Sequence, residues 1–287
     1  MSEVTINMQN EKITYVTSKR GLLNINLSEL WSYRDLALLF VKRDLKSSYK
    51  QTVLGPIWII INPLLSTMVF TVIFGVIAGI PTDGTPQFLF YMSGNILWNF
   101  FSNCLNRASS TFLGNARIFG KVYFPRLIMP VSGIMYNLVN FLMQTLVYII
   151  LVTVYSICGA NVHPNALITL APLLIIQTAL LGTGMGLIIS SITTKYRDLN
   201  ILVSFGVSLL MYITPVVYPI SQVPEKFRWI MLLNPVAPIV ETYRYSFLGS
   251  GSIEWLFLGI SFAVTIIILS IGIVVFNQVE KNFIDTV

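Results

Sequence analysis

The sequence predicts an all-α polytopic membrane protein with six transmembrane helices, an N-terminal amphipathic interface helix, and re-entrant outer-leaflet helices before the last span. Its 287 residues are 55% hydrophobic and only 10% charged, whereas soluble domains carry about 25% charged residues. Apolar runs of the roughly 20 residues that a bilayer requires recur along the chain. Lysine and arginine also concentrate in alternate loops, as membrane topology demands. These observations exclude an ordinary soluble domain.

The leader, residues 1–53, is predicted to be cytoplasmic and to end in a helix parallel to the membrane. Between residues 27 and 49 most apolar side chains recur on one helical face, with basic residues on the other side. This pattern is typical of a helix lying among lipid headgroups. A solvated basic helix is the alternative, which the tryptophan disfavours. The interface residues are Trp31, Arg43, Lys46 and Lys50.

A six-span transmembrane domain is predicted over residues 54–277, followed by a short cytoplasmic tail, 278–287. The spans are 54–80, 88–104, 127–158, 166–192, 199–218 and 253–276. In the fourth, Gly182 and Gly186 form a pair of small residues that lets two helices approach closely. Residues 219–252 are too broken by proline and charge to span. They are predicted to contain two short re-entrant helices, 226–233 and 238–248, which lie in the outer leaflet.

The orientation follows from the basic residues of the loops. If the N-terminus is inside, the inner segments, including the loop 105–126, carry 15 lysines and arginines, and the outer segments carry three. Cytoplasmic loops are enriched in these residues. Both termini are therefore predicted to be cytoplasmic. Because the basic residues lie in the leader and in loops that flank apolar runs, the net charge of +6 indicates contact with membrane lipid and no nucleic acid.

Residues for catalysis or for metal and cofactor binding are scarce. His163 is the only histidine, and the two cysteines, Cys104 and Cys158, lie at the ends of apolar runs. Residues 114–122 resemble a phosphate-binding loop, but the spacing is wrong and the Ser or Thr for magnesium is missing. We therefore expect no catalytic site, no metal site and no cofactor in this chain, which cannot hydrolyse ATP by itself.

Three spans carry neutral polar residues at helical spacing. Each set lies on one helical face. One interpretation is that these groups bond helix to helix; the other, which we favour, is a wet and uncharged pathway for a hydroxyl-rich cargo. The candidate channel-lining residues are Asn95, Asn99 and Asn103 in the second span, Asn137, Asn140, Gln144 and Tyr148 in the third, and Ser204, Ser208 and Tyr212 in the fifth.

Aromatic residues make up 13% of the chain, and many fall near the predicted outer half. An interfacial aromatic belt accounts for such residues, and stacking against sugar rings at an exit is the other reading. The outer-gate candidates are Tyr218, Phe227, Trp229, Tyr243 and Tyr245.

Several short motifs carry a family resemblance. The first joins Arg43-Asp44-Leu45-Lys46 and Tyr49-Lys50-Gln51-Thr52-Val53-Leu54-Gly55-Pro56-Ile57-Trp58 to Asn62-Pro63-Leu64. Others are Tyr196-Arg197-Asp198-Leu199, Thr214-Pro215-Val216-Val217-Tyr218-Pro219, Asn234-Pro235 and Glu241-Thr242-Tyr243-Arg244-Tyr245. In this order they resemble permeases of the type 2 ABC exporter family. The resemblance is closest to subunits that export O-antigen polysaccharide, and it extends to those for teichoic acid and capsule.

The resemblance implies a homodimer paired with two copies of a separate cytoplasmic ATPase, which would bind ATP and Mg. The cargo would be a polysaccharide on an undecaprenyl diphosphate carrier. A coupling helix within 115–124 would dock on the ATPase through Arg117 and Lys121, and residues 219–252 would gate the outer mouth. An exporter of a drug, haem or small lipid is the nearest rival. A secondary carrier is disfavoured by the lack of an intramembrane carboxylate pair, and a lipid-modifying enzyme by the lack of a His/Asp/Glu cluster.

Overall fold

The computed structural model describes residues 27–50, 52–122, 124–194, 196 and 198–283. Within these ranges the chain forms helices and connecting turns and contains no strand, so the predicted all-α class is confirmed. The α-helices are, in chain order, α1 Leu27–Ser32, α2 Arg34–Tyr49, α3 Trp58–Phe70, α4 Gln87–Ser109, α5 Thr111–Phe119, α6 Ile128–Ile157, α7 Ala171–Thr193, α8 Leu199–Ile213, α9 Glu225–Leu232, α10 Val236–Leu248 and α11 Trp255–Phe283.

Four helical stretches in the described part are long and apolar enough to cross a membrane. They are Gly55–Ile77, Ile128–Ile157, Ala166–Thr193 and Trp255–Glu280. They agree with the first, third, fourth and sixth predicted spans. Helix α4 has 23 residues, but its asparagines make it more polar. The predicted total of six spans stays a prediction.

The predicted fifth span is too long at its C-terminal end. Helix α8 has 15 residues and ends at Ile213, and Thr214 is extended. The cause is Pro215, because a residue that precedes proline is disfavoured in the helical conformation. The remainder of the predicted span, up to Tyr218, is turn and irregular chain that lies largely buried.

The leader helix is present as two consecutive helices, α1 and α2. Ala37 and Phe40 are buried against the segment that leads into α6, where the Phe40 ring lies 5.8 Å from that of Phe124. Trp31, on the predicted lipid side, is 69% exposed. The sequence thus located the helix, and its position in a membrane interface stays a prediction.

Helix α4 is the centre of the bundle and packs against α3, α6, α7 and α10. Two glycines bring α7 against it. A Cβ on Gly182 would lie 2.7 Å from the Phe101 carbonyl oxygen, and one on Gly186 would lie 2.5 Å from that of Leu105. The prediction that these small residues allow close helix contact is confirmed.

At the end of the bundle that is predicted to be cytoplasmic, α5 lies against the C-terminal part of α11. The Phe112 and Phe276 rings stack with centroids 4.5 Å apart. Nearby, Arg126 is buried and donates through Nη1 to the Glu280 carbonyl oxygen at 2.9 Å. Residues on both sides of the predicted coupling segment, 115–124, are therefore in contact with the last helix.

At the opposite end of the bundle are α9 and α10, whose bounds nearly match those of the two short helices predicted at 226–233 and 238–248. Helix α9 is largely exposed, whereas α10 is buried along almost its whole length. The loop before α7 joins the end of α10, because the His163 amide donates to the Leu248 carbonyl oxygen at 2.9 Å. Whether α9 and α10 re-enter a bilayer stays a prediction.

Candidate functional site

The site is built around a proline in the middle of α3. Pro63 has no amide hydrogen, so the Ile59 carbonyl oxygen one turn earlier lacks its usual helical donor. Gln144 of α6 supplies a replacement, donating through Nε2 to that oxygen at 3.2 Å. An amide side chain from one helix thus completes the backbone of another.

A second amide, Asn95 of α4, holds the next turn of α3. Its Nδ2 donates to Ser66 Oγ at 2.7 Å and to Thr67 Oγ1 at 3.2 Å. Its Oδ1 accepts from Asn99 Nδ2 at 3.0 Å. Asn95 is only 2% exposed, so buried donors and acceptors are matched here, as buried polar groups require.

These contacts frame a cavity of about 530 Å³ between the end of α2, the first half of α3, and the middle of α4 and α6. Its lining residues contribute amide, hydroxyl and aromatic groups and no ionisable acid or base. They are Ser48, Trp58, Ile59, Asn62, Pro63, Ser66, Asn99, Asn103, Asn140 and Gln144. Amide side chains both donate and accept hydrogen bonds, so the cavity is suited to a neutral, hydroxyl-rich ligand.

The cavity brings together four of the residues that sequence periodicity selected: Asn99, Asn103, Asn140 and Gln144. It also contains residues that the sequence analysis passed over: Ser48, Trp58, Asn62 and Ser66. A signal for the last two was present, because Asn62 and Ser66 are four residues apart and therefore share one face of α3.

Other predicted channel residues lie elsewhere. Asn137 is buried, with Nδ2 placed 3.7 Å from Cys104 Sγ. Tyr148 is fully buried, and its ring lies against those of Tyr243 and Phe247. These two residues do not line the cavity, because α4 covers the side of α6 that carries Asn137 and α10 covers the side that carries Tyr148.

The polar residues predicted on the fifth span lie apart from the cavity. Ser204 and Ser208 on α8 are exposed, and each hydroxyl donates to a carbonyl of its own helix at 2.9 Å. Tyr212 is 55% exposed. None of the three lines the cavity.

The outer-gate candidates separate into two groups. Tyr243 is fully buried in the core, and Tyr245 is half-buried on the same helix. Tyr218 and Phe227 line an apolar pocket of about 520 Å³, in which the Tyr218 hydroxyl donates to the Ile213 carbonyl oxygen at 3.0 Å. Trp229 lies exposed on α9.

The coupling candidates lie in or just after α5. Helix α5 carries Arg117, and Lys121 is exposed immediately beyond its end. Of the interface candidates, Lys46 and Lys50 are exposed on the last turn of α2 and just beyond it.

The remaining interface residue, Arg43, belongs to a charged cluster that the sequence did not reveal. Its Nη2 lies 2.8 Å from Asp44 Oδ1, and Arg107 of α4 pairs with Asp44 Oδ2. Burial is the main reason why the pKa of Arg107 lies below its ordinary value, and the charge of Arg43 lowers it further. The cluster lines a pocket of about 250 Å³.

A second charge pair, which is buried, lies near the end of the bundle that is predicted to be outer. Arg244 of α10 is 1% exposed and pairs with Glu241 at 2.9 Å. Its guanidinium also lies over the Phe90 ring, 3.7 Å from the centroid, and donates to the Pro215 carbonyl oxygen at 2.8 Å. This pair fixes α10 to α4 and to the chain that follows α8.

The sequence of this chain is similar to those of several known proteins. A family model described as ABC-2 type transporter matches residues 36–248. The chain is 30% identical over 251 residues to the O-antigen export system permease protein RfbA of Klebsiella pneumoniae, covering 88% of this chain and 94% of that protein. It is 30% identical to the protein of the same name from Myxococcus xanthus, covering 76% and 82%. It is 24% identical to the polysialic acid transport protein KpsM of Escherichia coli, covering 85% and 93%.

Proposed function

The chain belongs to the ABC-2 type transporter family, and from that membership we propose that it is the membrane-spanning permease of an ATP-driven polysaccharide exporter. Proteins of this family are permease subunits and not ATPases. The relatives named for O-antigen export are the more similar ones, so the proposed cargo is an O-antigen-like polymer. The relative named for polysialic acid transport makes a capsule-type polymer the second candidate.

The proposal has several finer parts. The cargo is carried on a lipid, undecaprenyl diphosphate, and crosses the bacterial inner membrane. The permease is a homodimer that works with two copies of a separate cytoplasmic ATPase, to which α5 couples. Six helices cross the membrane, with both termini in the cytoplasm. The 23 residues of α4 support its inclusion, because at about 1.5 Å per residue they exceed a hydrocarbon core of about 30 Å.

One observation supports a sugar cargo most directly, namely the uncharged, amide-rich cavity between α3, α4 and α6. Sugar hydroxyls need partners that both donate and accept, and amide side chains supply both. An exporter of an apolar drug or small lipid would instead require a mainly apolar cavity.

Replacing Asn99 and Asn140 together by leucine tests the proposal. In cells that lack their own copy of the gene, the wild-type chain should restore surface polysaccharide. The double variant should reduce surface polysaccharide per folded permease at least tenfold, beyond the modest loss of stability expected because Asn99 no longer donates to Asn95 Oδ1. Asn106→Leu is the matched control, because Asn106 is on the same helix and its side-chain amide donates to Ser102 Oγ, at 3.3 Å, outside the cavity.

The outcomes separate the two interpretations of the amides. Normal export per folded molecule with a lower melting temperature would reduce these residues to helix contacts. Failure of the wild-type chain to restore any surface polysaccharide would refute the cargo itself.

A further inference from the structure

We propose that the pocket formed by Arg43, Asp44 and Arg107 binds the phosphate group of a lipid at the inner membrane surface. The inference rests on the proposed function, because it assigns this pocket to the phosphate end of the cargo whose sugars meet the amide cavity.

The charge of the pocket is unbalanced. Arg43 and Arg107 share the single carboxylate of Asp44, and no other lining residue is charged. Asp44 has only 14% of its side chain exposed, so water screens little of the surplus positive charge on that side. A second anion would balance the cluster, and arginine pairs offer the forked donors that phosphate oxygens accept.

Both guanidinium groups are oriented by aromatic rings. Arg107 lies over Tyr136 with its Cζ 4.3 Å from the ring centroid, and Arg43 lies over Phe40 at 4.8 Å. Gly133 makes room for the Arg107 stem, since a Cβ there would come within 3.0 Å of Arg107 Cδ. Stacking occupies the faces of the guanidinium groups and leaves their N–H edges for hydrogen bonds.

The pocket is open and of suitable size. Its volume is about 250 Å³, and Gly114 on its wall has no atom within 4 Å of the position of a Cβ. Arg107 is the first charged residue along α4, which has none from Gln87 to Asn106. A cation where an apolar helix meets charged sequence lies at the level of lipid headgroups. These features favour a lipid phosphate over a soluble anion.

The pocket adjoins the amide cavity. Ser48 lines that cavity and shares a hydrogen bond of 2.8 Å with the hydroxyl of Tyr136, the residue on which Arg107 stacks. Along α4, Arg107 follows Asn103 by one turn on the same face. A ligand with a phosphate next to a sugar can therefore occupy both pockets at once.

Binding of farnesyl diphosphate to the purified full-length chain in neutral phosphatidylcholine nanodiscs tests the inference. Wild type should bind it more tightly than inorganic diphosphate. Arg107→Gln and Arg43→Gln should each weaken binding at least tenfold, because each removes charge-assisted hydrogen bonds to the phosphate oxygens. Lys46→Gln is the matched control: it removes one positive charge from an exposed position on α2 and should change affinity less than threefold.

Asp44→Asn gives the most discriminating result. If the carboxylate competes with phosphate for the two arginines, its removal should tighten binding several-fold, whereas a purely structural role predicts no gain. Melting temperatures identify folded variants, and Arg43, whose side chain is 43% exposed, is the substitution most easily tolerated.

Equal affinities for Arg107→Gln, Arg43→Gln and Lys46→Gln would overturn the site. Inorganic diphosphate that binds as tightly as farnesyl diphosphate would overturn the lipid assignment. A wild-type chain that restores surface polysaccharide but binds no diphosphate would lose this site and keep the proposed function.

Discussion

Gln144→Leu is expected to destabilise the chain strongly only when Pro63 is present. In the wild type, Gln144 Nε2 donates to the Ile59 carbonyl oxygen at 3.2 Å, an oxygen that Pro63 deprives of its helical donor. Leucine would leave that oxygen unpaired in a partly buried position. An unsatisfied buried group costs about 1–3 kcal/mol, and hydrogen bonds between membrane helices average about 0.6 kcal/mol. We therefore expect a loss of about 1–2 kcal/mol.

Pro63→Ala should abolish most of this loss, because the new amide hydrogen at position 63 can donate to the Ile59 carbonyl oxygen. The double-mutant cycle should give a coupling energy of about 1 kcal/mol between positions 63 and 144, a size usual for residues with a shared partner. Reversible unfolding of the purified chain, followed through the fluorescence of its five tryptophans, measures each corner of the cycle.

Asn137→Leu is the control for this cycle. Asn137 is on the same helix as Gln144, but its amide lies beside Cys104 Sγ and has no link to Pro63. Its cost should be the same in the wild-type chain and in the Pro63→Ala variant. If Gln144→Leu also costs the same in these two backgrounds, the proposed compensation between the two helices is wrong.

Two further predictions concern topology and coupling. In intact cells an impermeant thiol reagent should label the native, exposed Cys158. In a Cys158→Ser background it should label a cysteine introduced at position 161 but not one introduced at position 46. The reverse pattern would invert the predicted orientation. Charge reversal at Arg117 and Lys121 should weaken co-purification with the partner ATPase, because loss of one partner of a buried interfacial charge pair costs about 2–5 kcal/mol. The chain alone should bind no ATP. Unchanged recovery of the complex and unchanged transport would show that this loop is not part of the interface.

Helix positions followed well from the sequence where apolar runs are bounded by charge or turn residues. Helix α6, Ile128–Ile157, agrees with the predicted span 127–158 for this reason. Helix α8 ended early because a single proline outweighed the hydropathy of the residues around it.

The candidate site was predicted only in part. Periodicity shows which residues share a face of one helix, and so it selected the amides at Asn99 and Asn140. It does not show which neighbouring helix covers that face, and Tyr148 was for that reason assigned to a channel although it lies in the core. Contacts between distant segments, such as Arg107 with Asp44, leave no periodic signal in the sequence.

The buried Arg244 has a consequence for the order in which this chain assembles. Its partners lie on three parts of the molecule: Glu241 on its own helix, Phe90 on α4, and the Pro215 carbonyl oxygen after α8. Removal of an ionised guanidinium from water costs several kcal/mol unless such partners are already in position. During synthesis, α10 therefore has no stable place in the protein until α4 and the chain after α8 have come together. We therefore expect α10 to dock last of these three parts of the molecule.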